Sequence, residues 1–222
     1  MRDETRLWLI RHAPVAGPRG VIHDSDAPAD ISDVGSIAAL RAKLPMTATV
    51  FASPSRRTLE TAFALGLRPI EEASFREQSF GSWTGRRHDE IAKELGATYQ
   101  EFWRAPATSA PPGGESFVEQ IARVGDGIAR LPPGDVLLIV HSGTVRAAIA
   151  IALDVAPETA LRFVIDPLSL TRIDRLETRM DASFVRVDAA FTRVDDRFSR
   201  MDERFERLED RYVRHLEQHT GR

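Results

Sequence analysis

The 222-residue chain contains no cysteine. That excludes a disulfide scaffold, a thiol nucleophile and any cysteine-ligated zinc or iron–sulfur centre. No apolar run approaches the ~20 residues that a membrane-spanning helix needs, so no membrane partner is expected. Charge of either sign is not in large excess. The net charge is −3 and the isoelectric point about 6.1, which argues against a broad nucleic-acid-binding face. The first residues carry acids and run straight into a strand-like segment, unlike a signal peptide, so a cytoplasmic protein is expected. What the chain does have is 42% hydrophobic residues, enough for a packed core.

Composition divides the chain near residue 174. From 175 to 222 there are 11 arginines and 11 acidic residues, no proline, and Gly221 as the one glycine. Phe184, Phe191, Phe198, Phe205 and Tyr212 recur every seventh position, with Val187, Val194, Met201 and Leu208 three residues after each of the first four. Spacings of three and four describe a coiled-coil seam. A long helix over 175–216 that joins copies of the chain into a homo-oligomer is expected, with a disordered end at 217–222.

Residues 1–174 alternate between strand-like and helix-like segments. Strands are expected at 6–10, 47–52 and 135–140, and two closing strands at 161–165 and 168–173. Helices are expected at 33–44, 55–65, 115–131 and 144–153, where apolar residues recur at helical spacing and proline or glycine ends the run. This alternation predicts an α/β fold, a three-layer α/β/α sandwich with a mainly parallel sheet.

Reactive residues follow three of the strands. Arg11-His12 follows the first, Pro54-Ser55-Arg56-Arg57 the second, and His141-Ser142-Gly143 the segment 135–140. In open α/β sheets, ligands bind beyond the carboxyl ends of strands. Two arginines with fork geometry and a helix start after Gly143 suit a phosphate. Zinc on His12, His141 and His23 is the competing use, but arginines beside the ligands repel a dication and no carboxylate adjoins either of the first two histidines. A neutral imidazole beside a phosphate suggests covalent phosphoryl transfer, which needs an acid for the leaving oxygen. Glu71, Glu72 and Glu77 are the candidates, and spacing alone does not choose among them. Trp83 is open between lining the pocket and packing in the core.

The ordered set Arg11-His12, Ser53-Pro54-Ser55-Arg56-Arg57-Thr58-Leu59-Glu60-Thr61-Ala62, Glu77-Gln78-Ser79-Phe80-Gly81-Ser82-Trp83-Thr84-Gly85, Pro112-Gly113-Gly114-Glu115-Ser116 and His141-Ser142-Gly143 resembles the histidine phosphatase family of the phosphoglycerate-mutase-like superfamily. The resemblance covers residues 5–173. It implies His12 as the phosphorylated nucleophile, Arg11, Arg57 and His141 as phosphate ligands, Glu77 as proton donor, and no metal or other cofactor. It implies a small phosphomonoester as substrate. The stretch from Glu77 to Gly85 followed by Pro-Gly-Gly-Glu-Ser resembles the alpha-ribazole phosphatase branch, which acts in cobalamin assembly. His23 and Asp24 stand where that branch has Tyr-Gly, which makes His23 a candidate substrate contact. Ser142 is expected to offer its backbone N–H to phosphate. No added basic insert of the mutase kind is present, so a phosphatase is expected over a mutase. A weakly active module that serves as a coiled-coil interaction protein is the alternative from another class.

Overall fold

The computed structural model describes residues 5–174. The heptad segment 175–216 and the end 217–222 lie outside the described residues. In chain order the elements are β1 Thr5–Arg11, α1 Val34–Arg41, β2 Thr49–Ala52, α2 Arg56–Ala64, β3 Ile70–Glu71, α3 His88–Leu95, α4 Ala97–Arg104, α5 Phe117–Ala129, β4 Gly134–Val140, α6 Ser142–Leu153, α7 Pro157–Ala160 and β5 Leu170–Asp174.

The sheet runs β3-β2-β4-β1-β5, with β5 antiparallel to β1 and every other pairing parallel. The most apolar segment became the central strand. Val136 to Val140 of β4 are all buried, as expected where helices cover both faces of a parallel sheet. Side-chain alternation sorts the two faces. Ile10, Leu137 and Ile139 pack with Ile37 and Leu40 of α1 and Ala62 of α2. The alternate residues Leu9, Leu138 and Val140 are equally buried on the opposite face, where α5 and α6 pack together and α6 meets β1. Helices on both faces of the sheet make three layers.

Helix starts are chemically specified. Asp33 Oδ1 accepts from the Ser36 N–H at 2.9 Å and begins α1. Ser116 and Glu119 form a reciprocal capping box at the head of α5, which fixes where Pro-Gly-Gly-Glu-Ser turns into helix. That turn is locked backbone to backbone against residues 79–82. Ser82 N–H donates to Pro112 O at 2.9 Å and Glu115 N–H to Ser79 O at 2.9 Å. A Cβ on Gly114 would lie 2.3 Å from Ser79 O. Backbone cannot give way as a side chain can, so Gly114→Ala is expected to cost about 3 kcal/mol of stability, read by thermal or denaturant unfolding. An unchanged midpoint would show that the two loops separate freely.

The closing strand expected at 161–165 does not form. Residues 157–160 are a helical turn with Pro157 at its start, and Phe163 and Val164 are exposed at 40% and 82%. The carbonyls there serve side chains instead of a ladder: Arg11 Nη1 donates to Ile165 O at 2.5 Å and Arg146 Nε to Phe163 O at 2.9 Å. Only the second closing strand exists, displaced to Leu170–Asp174. The other expected strands and helices form within about three residues of their expected bounds, whereas β3, α4 and α7 answer to no expected element. The helix expected from residue 144 starts two residues earlier, at Ser142.

Candidate active site

Register brings the three strand ends together. Arg11 pairs with Val140 and Ala52 with Ile139. His12 N–H then donates to Val140 O at 2.9 Å, and Ser53 N–H to Ile139 O at 3.1 Å. His12, Ser53 and His141 therefore leave the sheet side by side. They adjoin a cavity of about 500 Å³, whose lining includes Arg11, His12, Ser55, Arg57, Glu77 and Ser142.

The protonation of His12 is set by its neighbours. Its Nδ1 lies 2.6 Å from Ala13 O. A carbonyl only accepts, so Nδ1 carries the proton and Nε2 keeps a lone pair. Arg57 Nε donates to that Nε2 at 3.3 Å. Burial above all, then the adjacent His141 and Arg57, push the imidazole down to about 3, while the bond to Ala13 works the other way. At neutral pH the ring is an uncharged base whose Nε2 lone pair is directed at a guanidinium.

Each arginine is held by a carbonyl. Arg57 Nη1 donates to Asp24 O at 2.5 Å, and Arg11 Nη1 to Ile165 O as described. Burial lowers both guanidinium pKa values, with Glu77 opposing the shift in each case. Arg11 Nε is buried without a hydrogen-bond partner among the described residues. Neither guanidinium is matched in a close ion pair with a carboxylate among the described residues. Such cations are available to an anion.

His141 is fully buried. Its ring meets His12 edge to face at 5.1 Å between centroids, and its Nε2 lies 2.8 Å from Ser53 Oγ. Burial, then Arg57 and Arg11, hold it well below the usual histidine range. It packs behind His12 rather than among the residues that line the cavity. Ser53, its partner, was missed in the sequence, where it read only as part of the Ser-Pro-Ser-Arg-Arg run.

Both histidines thus stay neutral in the fold and titrate near 6.5 in the unfolded chain. Below that value the unfolded state takes up protons that the fold does not. The contribution of each is present in full above pH 6.5 and is lost as pH falls below it, for His12 down to about 3. Each histidine contributes a slope of about 1.4 kcal/mol per pH unit below 6.5 while its ring stays neutral in the fold. His141→Gln, which does not titrate, is expected to flatten the acid limb of stability by that amount. Equal slopes in variant and parent would show that His141 is charged in the fold.

Glu77 lines the cavity from within the segment 74–79. Arg123 of α5 ties that segment down, donating to Ser74 O at 2.7 Å and to Arg76 O at 3.2 Å while pairing with Glu115. Glu71 and Glu72 are not among the lining residues, and Glu72 instead caps the turn at Ser74. His23 also lines the cavity, as do Asp24, Phe80 and His88. Trp83, expected as a possible substrate contact, is 2% exposed and sits in a cluster with Ile22, Ile91 and Phe102. The ring its segment offers to the cavity is Phe80. Among the described residues no three histidine or acidic side chains gather as metal ligands.

Known proteins share this arrangement of chain. The chain is 28% identical over 180 residues to a bifunctional protein of Mycobacterium tuberculosis, covering 75% of this chain and 49% of that one. It thus spans about half the length of that relative. It is 30% identical over 171 residues to the glucosyl-3-phosphoglycerate phosphatase of the same organism, covering 67% of this chain and 75% of that one. A putative alpha-ribazole-5'-P phosphatase of Escherichia coli superposes with a TM-score of 0.69 at 25% identity, covering 77% of this chain and 90% of that one. The model of the histidine phosphatase superfamily, branch 1, matches residues 7–188, and the chain belongs to that superfamily.

Proposed function

We propose that this chain is a phosphomonoesterase that acts through a phosphohistidine on His12. The observation that carries the reading is the His12 ring, whose tautomer is fixed by Ala13 O and whose Nε2 lone pair faces Arg57 beside the cavity. In the free protein Arg57 Nε occupies that lone pair weakly. A docked phosphoryl group draws the guanidinium onto its oxygens and exposes Nε2. Arg11 and Arg57 offset the phosphoryl charge, which needs no metal ion in this scheme. Nε2 attacks phosphorus, the P–N bond forms as the bond to the ester oxygen breaks, and Glu77 gives its proton to that oxygen. The ionised Glu77 then takes a proton from water, whose oxygen attacks phosphorus and returns the electron pair to Nε2. His141 meets the nucleophilic ring edge to face from behind, off the cavity wall, and in this scheme it orients that ring.

The substrate is a small phosphomonoester. Relatives named for alpha-ribazole phosphate and for glucosyl-3-phosphoglycerate make those two esters the first to test. The rest of the lining, which includes Val15, Val21 and Phe80 with His23, His88 and Gln78, suits a leaving group with both apolar and hydrogen-bonding parts. The test is phosphate release, with EDTA present, from these esters, an aryl phosphate and 3-phosphoglycerate. Turnover of at least one supports the reading. Silence on all of them in folded protein overturns it. Isomerisation of 3-phosphoglycerate without phosphate release would point to a mutase.

A further inference from the structure

Gln120 is a polar residue where the pattern of α5 calls for an apolar one. It falls on the buried stripe with Phe117, Val124 and Ile128 and is 0% exposed. Its Nε2 faces two acceptors, Arg76 O at 3.4 Å and Glu77 Oε1 at 3.3 Å. Two acceptors require the NH₂ end of the amide there. The amide oxygen is left buried with no hydrogen-bond partner among the described residues. An orphaned buried acceptor carries a desolvation cost that methionine or leucine on this stripe would avoid. The cost is intelligible if the NH₂ group has a task at Glu77.

The two oxygens of Glu77 are not equivalent. Oε1 accepts from the Gln78 N–H at 3.1 Å and from Gln120 Nε2. Among the described residues Oε2 has only the Gly143 N–H, at 3.4 Å. In a neutral carboxyl group, the oxygen that accepts two N–H bonds remains the carbonyl oxygen, and the proton resides on the other.

We propose that Gln120 is a positioning residue for Glu77: its amide N–H, with that of Gln78, fixes Oε1 as the accepting oxygen and assigns the transferable proton to Oε2. This rests on the reading of Glu77 as the acid given above. As the P–O bond breaks and the bond from His12 Nε2 to phosphorus forms, the Oε2–H proton passes to the ester oxygen. The electron pair left on Oε2 spreads over a carboxylate that the same N–H groups already hold. The charged and titratable groups that face Glu77 are Arg11 and His12 at the end of β1 and Arg57 of α2, and none of them is altered by changes at Gln120.

The test compares kcat/KM for an alkyl phosphate, whose alkoxide needs a proton to leave, with that for a nitrophenyl phosphate, whose phenolate does not. Gln120→Met keeps the length of the side chain and removes the donor. Its alkyl-ester kcat/KM is expected to fall about tenfold, with a much smaller fall for the aryl ester. Loss of the donor destabilises the carboxylate, so the high-pH limb of the alkyl-ester profile moves up by about one pH unit. Gln120→Glu, a near-isosteric change, places a second carboxyl group against Glu77 and is expected to move the same limb upward. Equal losses on both esters with unmoved limbs in both variants would reduce Gln120 to a packing residue and overturn the proposal. Glu77→Gln serves as the control. If it spares the alkyl ester, the acid assignment itself fails. If it removes alkyl-ester turnover while the Gln120 variants leave the limb in place, only the present inference fails.

Discussion

Replacing His12 by alanine is expected to abolish both phosphate release and covalent labelling of the protein, with the fold retained. The imidazole brings to the cavity an uncharged Nε2 lone pair beside Arg57, one of the two arginines proposed to bind phosphate. Without it no covalent intermediate forms, and water would have to attack in its place. Loss of a nucleophile of this kind costs about 10,000-fold or more in turnover. A labelled substrate quenched in alkali should leave phosphate on the parent protein, removable by acid as a phosphoramidate bond demands, and none on the variant. A labelled His12→Ala protein would place the nucleophile elsewhere, and an unlabelled but fully active one would end the covalent scheme.

Gly143→Ala is expected to be nearly as damaging, for a steric reason. A Cβ at that position would stand 2.2 Å from Glu77 Oε1 and 2.8 Å from Gln120 Oε1. Both atoms are the far ends of flexible side chains, so they move and the backbone stays. The carboxyl group is driven from its place, and alkyl-ester turnover should fall by about 100- to 10,000-fold, the range of a lost general acid. Unfolding should shift little, in contrast to Gly114→Ala, where the clash is with backbone. Intact alkyl-ester turnover in Gly143→Ala would show that Glu77 acts from a different position.

The sequence made the framework legible because its signals were local. The apolar run that became β4, the capped start of α5 and the Arg-His pair after β1 each declare themselves within a few residues. Arg11, His12, Arg57 and Glu77 could be assembled from motif order, and the structure gathers them at one cavity. Three features escaped because they depend on partners far along the chain. Residues 161–165 are apolar enough for a strand, but their carbonyls are claimed by Arg11 and Arg146, which no window contains. Trp83 reads equally as a pocket or a core residue until Ile22, Ile91 and Phe102 close around it. Ser53 and Gln120 look ordinary, since their importance lies in His141, 88 residues away, and Glu77, 43 residues away. A glutamine on an otherwise apolar helical stripe was the one available sign.

The order of strands has a consequence for how the chain is made. β1 and β2 never pair with each other; β4 lies between them, and β5 is the one other neighbour of β1. The partner of Thr5 is Gly134. A ribosome must therefore release the chain through residue 134 before the first strand meets β4, and loop closure over that distance slows folding. Until then Leu7, Leu9 and Ile10 belong to a nascent chain with nowhere to bury them, which is the state that chaperones shield. Catalytic geometry inherits the same late timing, because His12 and His141 meet only when β4 slides into place. Nascent or truncated forms that end before residue 134 should be both unfolded and inert, with no partly active intermediate between them and the finished molecule.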